Sequence, residues 1–188
     1  LLWRNGSTGQ NAIWFMDGTT RTSSTQIDPT SDLNWNIVGT GDFNGDDQDD
    51  ILWRNGSNGK NAVWFMSDGE KVGASQLPAT SNQDWTIVAT GEFNGDDQDD
   101  IIWRNTVTGK NAVWFMDEDQ RIGISQLQET ANQDWNIVGA GDFNSDSQDD
   151  ILWRNTETGQ NAVWFMNGTN RVSGSSLGQF DADYNGIA

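Results

Sequence analysis

Tryptophan returns in this chain every fifty residues, in three separate registers. They are Trp3, Trp53, Trp103 and Trp153; Trp14, Trp64, Trp114 and Trp164; and Trp35, Trp85 and Trp135. Residues 51–100 and 101–150 agree at 30 of 50 positions, so chance is no rival explanation. A period of this size marks an array of like units, each unable to bury its own faces and stacked on its neighbours. The 188 residues hold the unit almost four times. We frame the chain as a single repeat domain with repeats 1–50, 51–100, 101–150 and a truncated 151–188.

One unit reads clearly along residues 85–127. Trp85 to Phe93 is β-rich and ends in an acidic turn from Asn94 to Asp100. Ile101 to Asn105 is a second short strand, a Thr108–Gly109 turn follows, and Asn111 to Met116 is a third. The polar segment Arg121 to Leu127 reads as a fourth, outer strand. Turn signals recur every eight to twelve residues and no amphipathic helical period appears, which predicts an all-β fold. The runs ILW and WFM are nearly continuous rather than alternating, as in strands covered on both faces. Four antiparallel strands per repeat with both faces buried match one blade of a β-propeller. A stacked β-solenoid is the rival, but its coils are typically shorter and lack a four-stranded meander.

Only 34% of residues are apolar, yet they include 11 Trp and 8 Phe, so few side chains can bury a large area. Cys and His are both absent, which removes disulfides, structural zinc and thiol or imidazole catalysis by inventory. The net charge of −18 argues against nucleic acid as a partner, and no long apolar stretch predicts membrane insertion.

Half of the acids, 14 of 28, crowd into the three windows 41–50, 91–100 and 141–150. Spreading them would have minimised repulsion, so the clustering calls for a cation. The loops read DFNGDDQDD, EFNGDDQDD and DFNSDSQDD. Counted from the first acid, side-chain oxygens stand at positions 1, 3, 5 and 9: Asp42, Asn44, Asp46 and Asp50 in the first loop. Their counterparts are Glu92, Asn94, Asp96 and Asp100, then Asp142, Asn144, Asp146 and Asp150. The position-7 carbonyls of Gln48, Gln98 and Gln148 complete the set as backbone ligands. Such an oxygen shell suits Ca²⁺ better than Mg²⁺, which prefers a rigid octahedron rich in water. Glu92 is longer than Asp and is expected to shift its site. An EF-hand is excluded, because position 12 is Trp53, Trp103 or Trp153 and the flanks are strands. Asp49, Asp99 and Asp149, at position 8, are expected to face outward.

GDFNGDDQDDILWRN resembles the FG-GAP or VCBS repeat, whose calcium loop is D-x-[DN]-x-[DN]-G-x-x-D between two strands. The resemblance covers nearly the whole chain. It implies an integrin-α-like propeller of non-catalytic, extracellular or cell-surface adhesion modules, with the three oxygen sets above as calcium ligands. Position 6 departs from the pattern: Asp47, Asp97 and Ser147 stand where the family has Gly, at a left-handed backbone turn.

The last repeat breaks step. Asp181, Asp183 and Asn185 begin a fourth such loop, with Gly186 at position 6, and Leu1-Leu2-Trp3 is what should come next. The chain is expected to be part of a larger propeller or to join copies of itself into a ring or filament. No catalytic constellation appears. The leading expectation is a calcium-stabilised binding module for a cell-surface protein or for glycans, with Arg54, Asn55, Trp35, Trp85 or Trp135 as candidate sugar contacts. Against that, the Trp residues can equally be inter-blade core, and the W-R-N run can place Arg54 against neighbouring acids. The alternative function is a self-assembling structural protein stabilised by calcium.

Overall fold

The computed structural model describes residues 1–181, all strand, turn or loop. The first sheet holds β1 (Leu2–Arg4), β2 (Asn11–Asp17) and β3 (Thr20–Ile27) in that order. The second comprises β4 (Trp35–Gly41), β5 (Asp50–Asn55), β6 (Asn61–Trp64) and, after a small ribbon of β7 (Met66–Ser67) and β8 (Glu70–Lys71), β9 (Ser75–Leu77). The third runs β10 (Trp85–Gly91), β11 (Asp100–Asn105), β12 (Asn111–Asp117), β13 (Gln120–Leu127). The fourth runs β14 (Trp135–Gly141), β15 (Asp150–Asn155), β16 (Gln160–Asn167), β17 (Asn170–Gln179). Every pairing is antiparallel and, apart from that of β6 with β9 across the small ribbon, joins sequence neighbours, so the second, third and fourth sheets are four-stranded meanders, the blade of a propeller. The first lacks the strand that would stand inside β1. Sequence frames cut at 50/51, 100/101 and 150/151 fall one residue into the second strand of each sheet, so each blade straddles two frames.

The innermost strands β4, β10 and β14 pack side by side, and the second strands β5 and β11 are enclosed along their whole length. This is why ILW and IIW are unbroken apolar runs: both faces of β5 and β11 meet a neighbouring blade. The faces interlock in a fixed pattern. Phe43, Leu52, Val63 and Leu77 of the second blade meet Ile87, Ile101, Trp103, Trp114 and Met116 of the third. Fifty residues on, Phe93, Ile102, Val113 and Leu127 meet Ile137, Ile151, Trp153, Trp164 and Met166. Burying a side chain of this size stabilises by roughly 1.5–3 kcal/mol, and no blade has enough of its own to stand alone.

The W-R-N run is explained by the same stacking. Trp103 lies tilted against Trp114 at 4.6 Å between ring centres, and Arg54 of the preceding blade sits 5.0 Å above Trp103. Arg4 over Trp53 and Arg104 over Trp153 repeat it at 5.0 and 5.3 Å. Arg54 does not meet acids. Its guanidinium donates to Asn61 Oδ1 at 2.9 Å and to the Trp85 carbonyl at 3.0 Å, while the negative face of the Trp103 indole attracts its charge. Asn105 caps the turn after its strand, accepting from the N–H of Val107 and Thr108 at 3.1 and 2.8 Å. Gly109 follows at φ 77°, with the Thr130 carbonyl lying where a Cβ would be. Arg54 and Asn55 are buried and bonded inside the protein, so neither is free to touch a sugar.

Candidate functional site

Each acidic loop joins the first strand of a blade to the second, and its carboxylates are held mainly by backbone N–H groups. At position 1, Asp42 Oδ1 accepts from Asn44, Gly45 and Asp46 at 3.2, 2.7 and 3.2 Å, and its Oδ2 accepts from Asp47 at 2.7 Å. Asp142 takes the same four N–H groups in its own loop, and these bonds, that of Ser147 foremost, hold its pKa below the usual carboxylate value. Glu92, one methylene longer, accepts from Asn94 and Gly95 at 2.6 and 2.5 Å. Asp46, Asp96 and Asp146, at position 5, each accept from the position-7 N–H at 3.0 Å. At position 3, Asn44 Oδ1 accepts from the Asp46 N–H at 3.0 Å, while the amides of Asn94 and Asn144 donate to Asp96 and Asp146 at 2.8 and 3.0 Å.

These turns need left-handed backbone at two places. Position 4 is Gly45 and Gly95 in two loops but Ser145, at φ 65°, in the third. Position 6 is left-handed in all three, at φ 62° for Asp47, 64° for Asp97 and 65° for Ser147. The departure from Gly at position 6 therefore leaves the backbone path intact at a steric cost.

Position 9 is the anchor. Asp50, Asp100 and Asp150 are each 0% exposed. Asp100 accepts from the N–H of Met116 at 3.0 Å and of Phe93 at 3.1 Å, tying the loop to the third strand of its blade; Asp150 does the same with Met166 and Phe143, and Asp50 with Phe43 and with Met66 at the start of β7. Burial, reinforced by the neighbouring charges of Asp46 and Asp42, pushes Asp50 up to about 6. Burial together with Asp96 and Glu92 pushes Asp100 up to about 7.

Two contacts differ from the sequence expectation. Gln48, Gln98 and Gln148 carry more than a carbonyl: their side-chain oxygens accept from the N–H of Asp68, Glu118 and Gly168 at 2.7, 3.0 and 2.9 Å. They clamp the loop to the outer hairpin of the same blade. Asp99 and Asp149 do not face outward. They are half-buried between blades, where Asp99 accepts from the Asp42 N–H at 2.9 Å and Asp149 from the Glu92 N–H at 3.0 Å. Asp49, which has no preceding acidic loop to meet, is exposed.

The donor set is oxygen throughout, which fits a hard cation. Among the described residues, however, no three acidic side chains stand close enough together to hold a metal, because the carboxylates at positions 1 and 5 turn toward their own loop's N–H groups. Asp181 is exposed at the end of the fourth blade, and Asp183 and Asn185 lie outside the described residues. Among the described residues no helix is long and apolar enough to cross a membrane.

Residues 42–103 match the family model described as an FG-GAP-like repeat, and residues 135–166 match that of the FG-GAP repeat. No curated protein matches the chain. Among solved structures, a protein of unknown function from Bacteroides caccae aligns at 12% identity with a TM-score of 0.49, over 94% of this chain and 58% of that one.

Proposed function

We propose that this chain, which carries FG-GAP repeats in propeller blades, is a non-catalytic binding module of the extracellular space or cell surface whose acidic loops hold Ca²⁺. The observation that carries this reading is the buried carboxylate recurring at Asp50, Asp100 and Asp150, beneath a loop that adds two or more acids to it. Burying a carboxylate among like charges is unfavourable unless a cation balances them. Asp42, Asn44, Asp46 and Asp50, with the Gln48 carbonyl, would hold the ion in the first loop, and their counterparts fifty and one hundred residues on would hold the next two. Taking up an ion requires Asp42 and Asp46 to re-aim from the loop N–H groups. Ca²⁺, bound wholly by protein oxygens, would staple the loop, and the extracellular space supplies it at the millimolar level that loops of this kind need.

Calorimetric titration of calcium-stripped protein tests this. Saturable heat with Ca²⁺, and loss of one site in Asp100→Asn, is the expected result. Absence of saturable binding contradicts it.

A second reading, self-assembly, rests on two uncovered faces. Phe43 and Phe93 are 0% and 4% exposed, whereas Phe143 in the same register is 49% exposed, with Leu177 at 52%. The opposite outer face, on the first blade, presents Leu1, Trp3 and Met16. These are the two halves of the interface built between successive blades, so a second copy docked fourth blade to first would reproduce it. Light scattering across protein concentration tests it: mass should rise with concentration in the native chain and not in Phe143→Asp. A concentration-independent monomer contradicts self-assembly.

A further inference from the structure

Both backbone polar groups of Asp42 are claimed by one residue of the next loop. Its N–H donates to the Asp99 carboxylate, and Asp99 returns the bond, donating its own N–H to the Asp42 carbonyl at 2.7 Å. Asp149 reaches back in the same direction, to the Glu92 N–H. The approach is so close that a Cβ at Gly41 or Gly91 would overlap the Asp99 or Asp149 carboxylate. The same acid in the same register makes the contact at both blade interfaces, so it belongs to the array and not to one loop.

Asp99 is firmly mounted at one end of this bridge. It stands between positions 7 and 9 of its own loop, where Gln98 is clamped to the Glu118 N–H and Asp100 is buried and bonded to Met116 and Phe93. At the other end, Asp42 is position 1, whose carboxylate gathers four N–H groups of its own loop. The bridge therefore runs from the last turn of one loop, flanked by two of its ion-facing positions, to the residue that organises the loop before it.

Two effects link such loops, and they have opposite signs. Closing a loop on an ion costs conformational entropy, and a loop already held in place by its neighbour has less to lose. Through the bridge, then, filling one loop favours filling the other. Charge works against this. Asp42, Glu92, Asp96 and Ser147, from all three loops, line one cleft of about 860 Å³, so an ion in one loop repels an ion entering the next. Salt screens that repulsion beyond about 8 Å, whereas it leaves a hydrogen-bonded bridge in place.

We propose that Asp99 and Asp149 are positioning residues that couple the loops, so that calcium in one loop tightens calcium binding in the loop before it and, by linkage, the reverse. This rests on the reading of the loops as calcium sites and adds to it that they fill together. Asp49 has the same place in the first loop and serves as the contrast. It is exposed, and among the described residues it accepts from the Thr40 hydroxyl at 3.5 Å and from no loop N–H, so it couples nothing.

The test uses the full ¹⁵N-labelled chain, stripped of calcium and titrated with Ca²⁺ at about 0.15 M salt to screen the repulsion. Amide signals of Gly45 and Asp47 report the first loop, and those of Gly95 and Asp97 the second. Glu92→Ala removes the position-1 carboxylate of the second loop and leaves Gln98, Asp99 and Asp100 in place. It should weaken calcium binding at the first loop about fivefold, the low end of ordinary coupling between sites. In an Asp99→Ala background the same change should move the first loop by less than about twofold. Asp99→Asn, which keeps the accepting oxygen, and Asp49→Ala should both preserve the full effect. Asp149→Ala should uncouple the second loop from the third. A first loop indifferent to Glu92→Ala, or weakened equally with and without Asp99, overturns the proposal and leaves the loops standing as calcium sites. If no loop amide responds to Ca²⁺, the calcium reading itself fails and the coupling with it.

Discussion

The N–H of Asp42 donates to the Asp99 carboxylate at 2.9 Å while the N–H of Asp99 donates back to the Asp42 carbonyl at 2.7 Å, joining two acidic loops across a blade interface. Asp149 makes the first of these bonds to Glu92 at 3.0 Å. The position-8 acid of each later loop therefore braces position 1 of the loop before it, and a loop steadied by an ion steadies its neighbour.

Removing the brace should be measurable. Asp99→Ala leaves the Asp42 N–H without its acceptor and should cost about 1–3 kcal/mol in urea unfolding. Asp99→Asn keeps an oxygen there and removes a charge that burial and the nearby Asp149, Asp49 and Asp42 hold up near 6. In calcium-stripped protein it should be neutral or stabilising. Equal losses for both variants would show that the contact is not a hydrogen bond to an oxygen.

Arg54→Lys tests the stacking of blades. Lysine cannot span both Asn61 Oδ1 and the Trp85 carbonyl while lying over Trp103. A loss on the order of 2–3 kcal/mol is expected, because hydrogen bonds to a charged group are the strong ones. Retention of full stability would mean that the guanidinium is not a blade-to-blade tie.

Ser145→Gly and Ser147→Gly should each stabilise the third loop by about 1 kcal/mol, since both serines sit at φ 65°. Calorimetric melting of the two variants checks this, and a lowered melting point would show that the serine hydroxyls matter more than the strain.

The repeat, the β class, the four-stranded unit and the acidic loop were all legible in the sequence, because each leaves a periodic trace. Trp at three registers marks the interface, and burial on both faces writes ILW as an unbroken run. What the sequence withheld was partnership across blades. Arg54 recurs as Arg4 and Arg104, but periodicity says only that such a residue matters, not that it lies on Trp103 of the next blade. The position of Gln98 in the loop is visible in the sequence and suggests its carbonyl as a backbone ligand, but its side-chain clamp to the Glu118 N–H, in a hairpin twenty residues on, leaves no such trace. Asp99 departs from the sequence expectation because a position next to a buried strand start points outward in one blade considered alone, and inward once another blade stands there.

Acidity offers a test with opposite signs. Asp100 sits near 7 and Asp50 near 6 in the folded protein, against an ordinary 3.8. Between those values the folded state holds protons that the unfolded chain has released, so calcium-stripped protein should gain stability as pH falls from 8 to 5. Carboxylates held below 3.8, such as Asp142, titrate under this window and do not oppose the gain. With calcium bound, the same protons compete with the ion and stability should fall. Melting curves with the same slope in both conditions would contradict the assignment of Asp50 and Asp100 as ion ligands.

The most direct measurement is melting temperature against free calcium, from chelator to millimolar. An ion that binds the folded loops alone should raise it steadily with concentration, each site contributing about 2.7 kcal/mol at one hundred times its dissociation constant, or several degrees in a chain of this length. Asp50→Ala, Asp100→Ala and Asp150→Ala combined should flatten the curve. A melting temperature that does not move between chelator and millimolar calcium would contradict the claim that these loops are calcium staples.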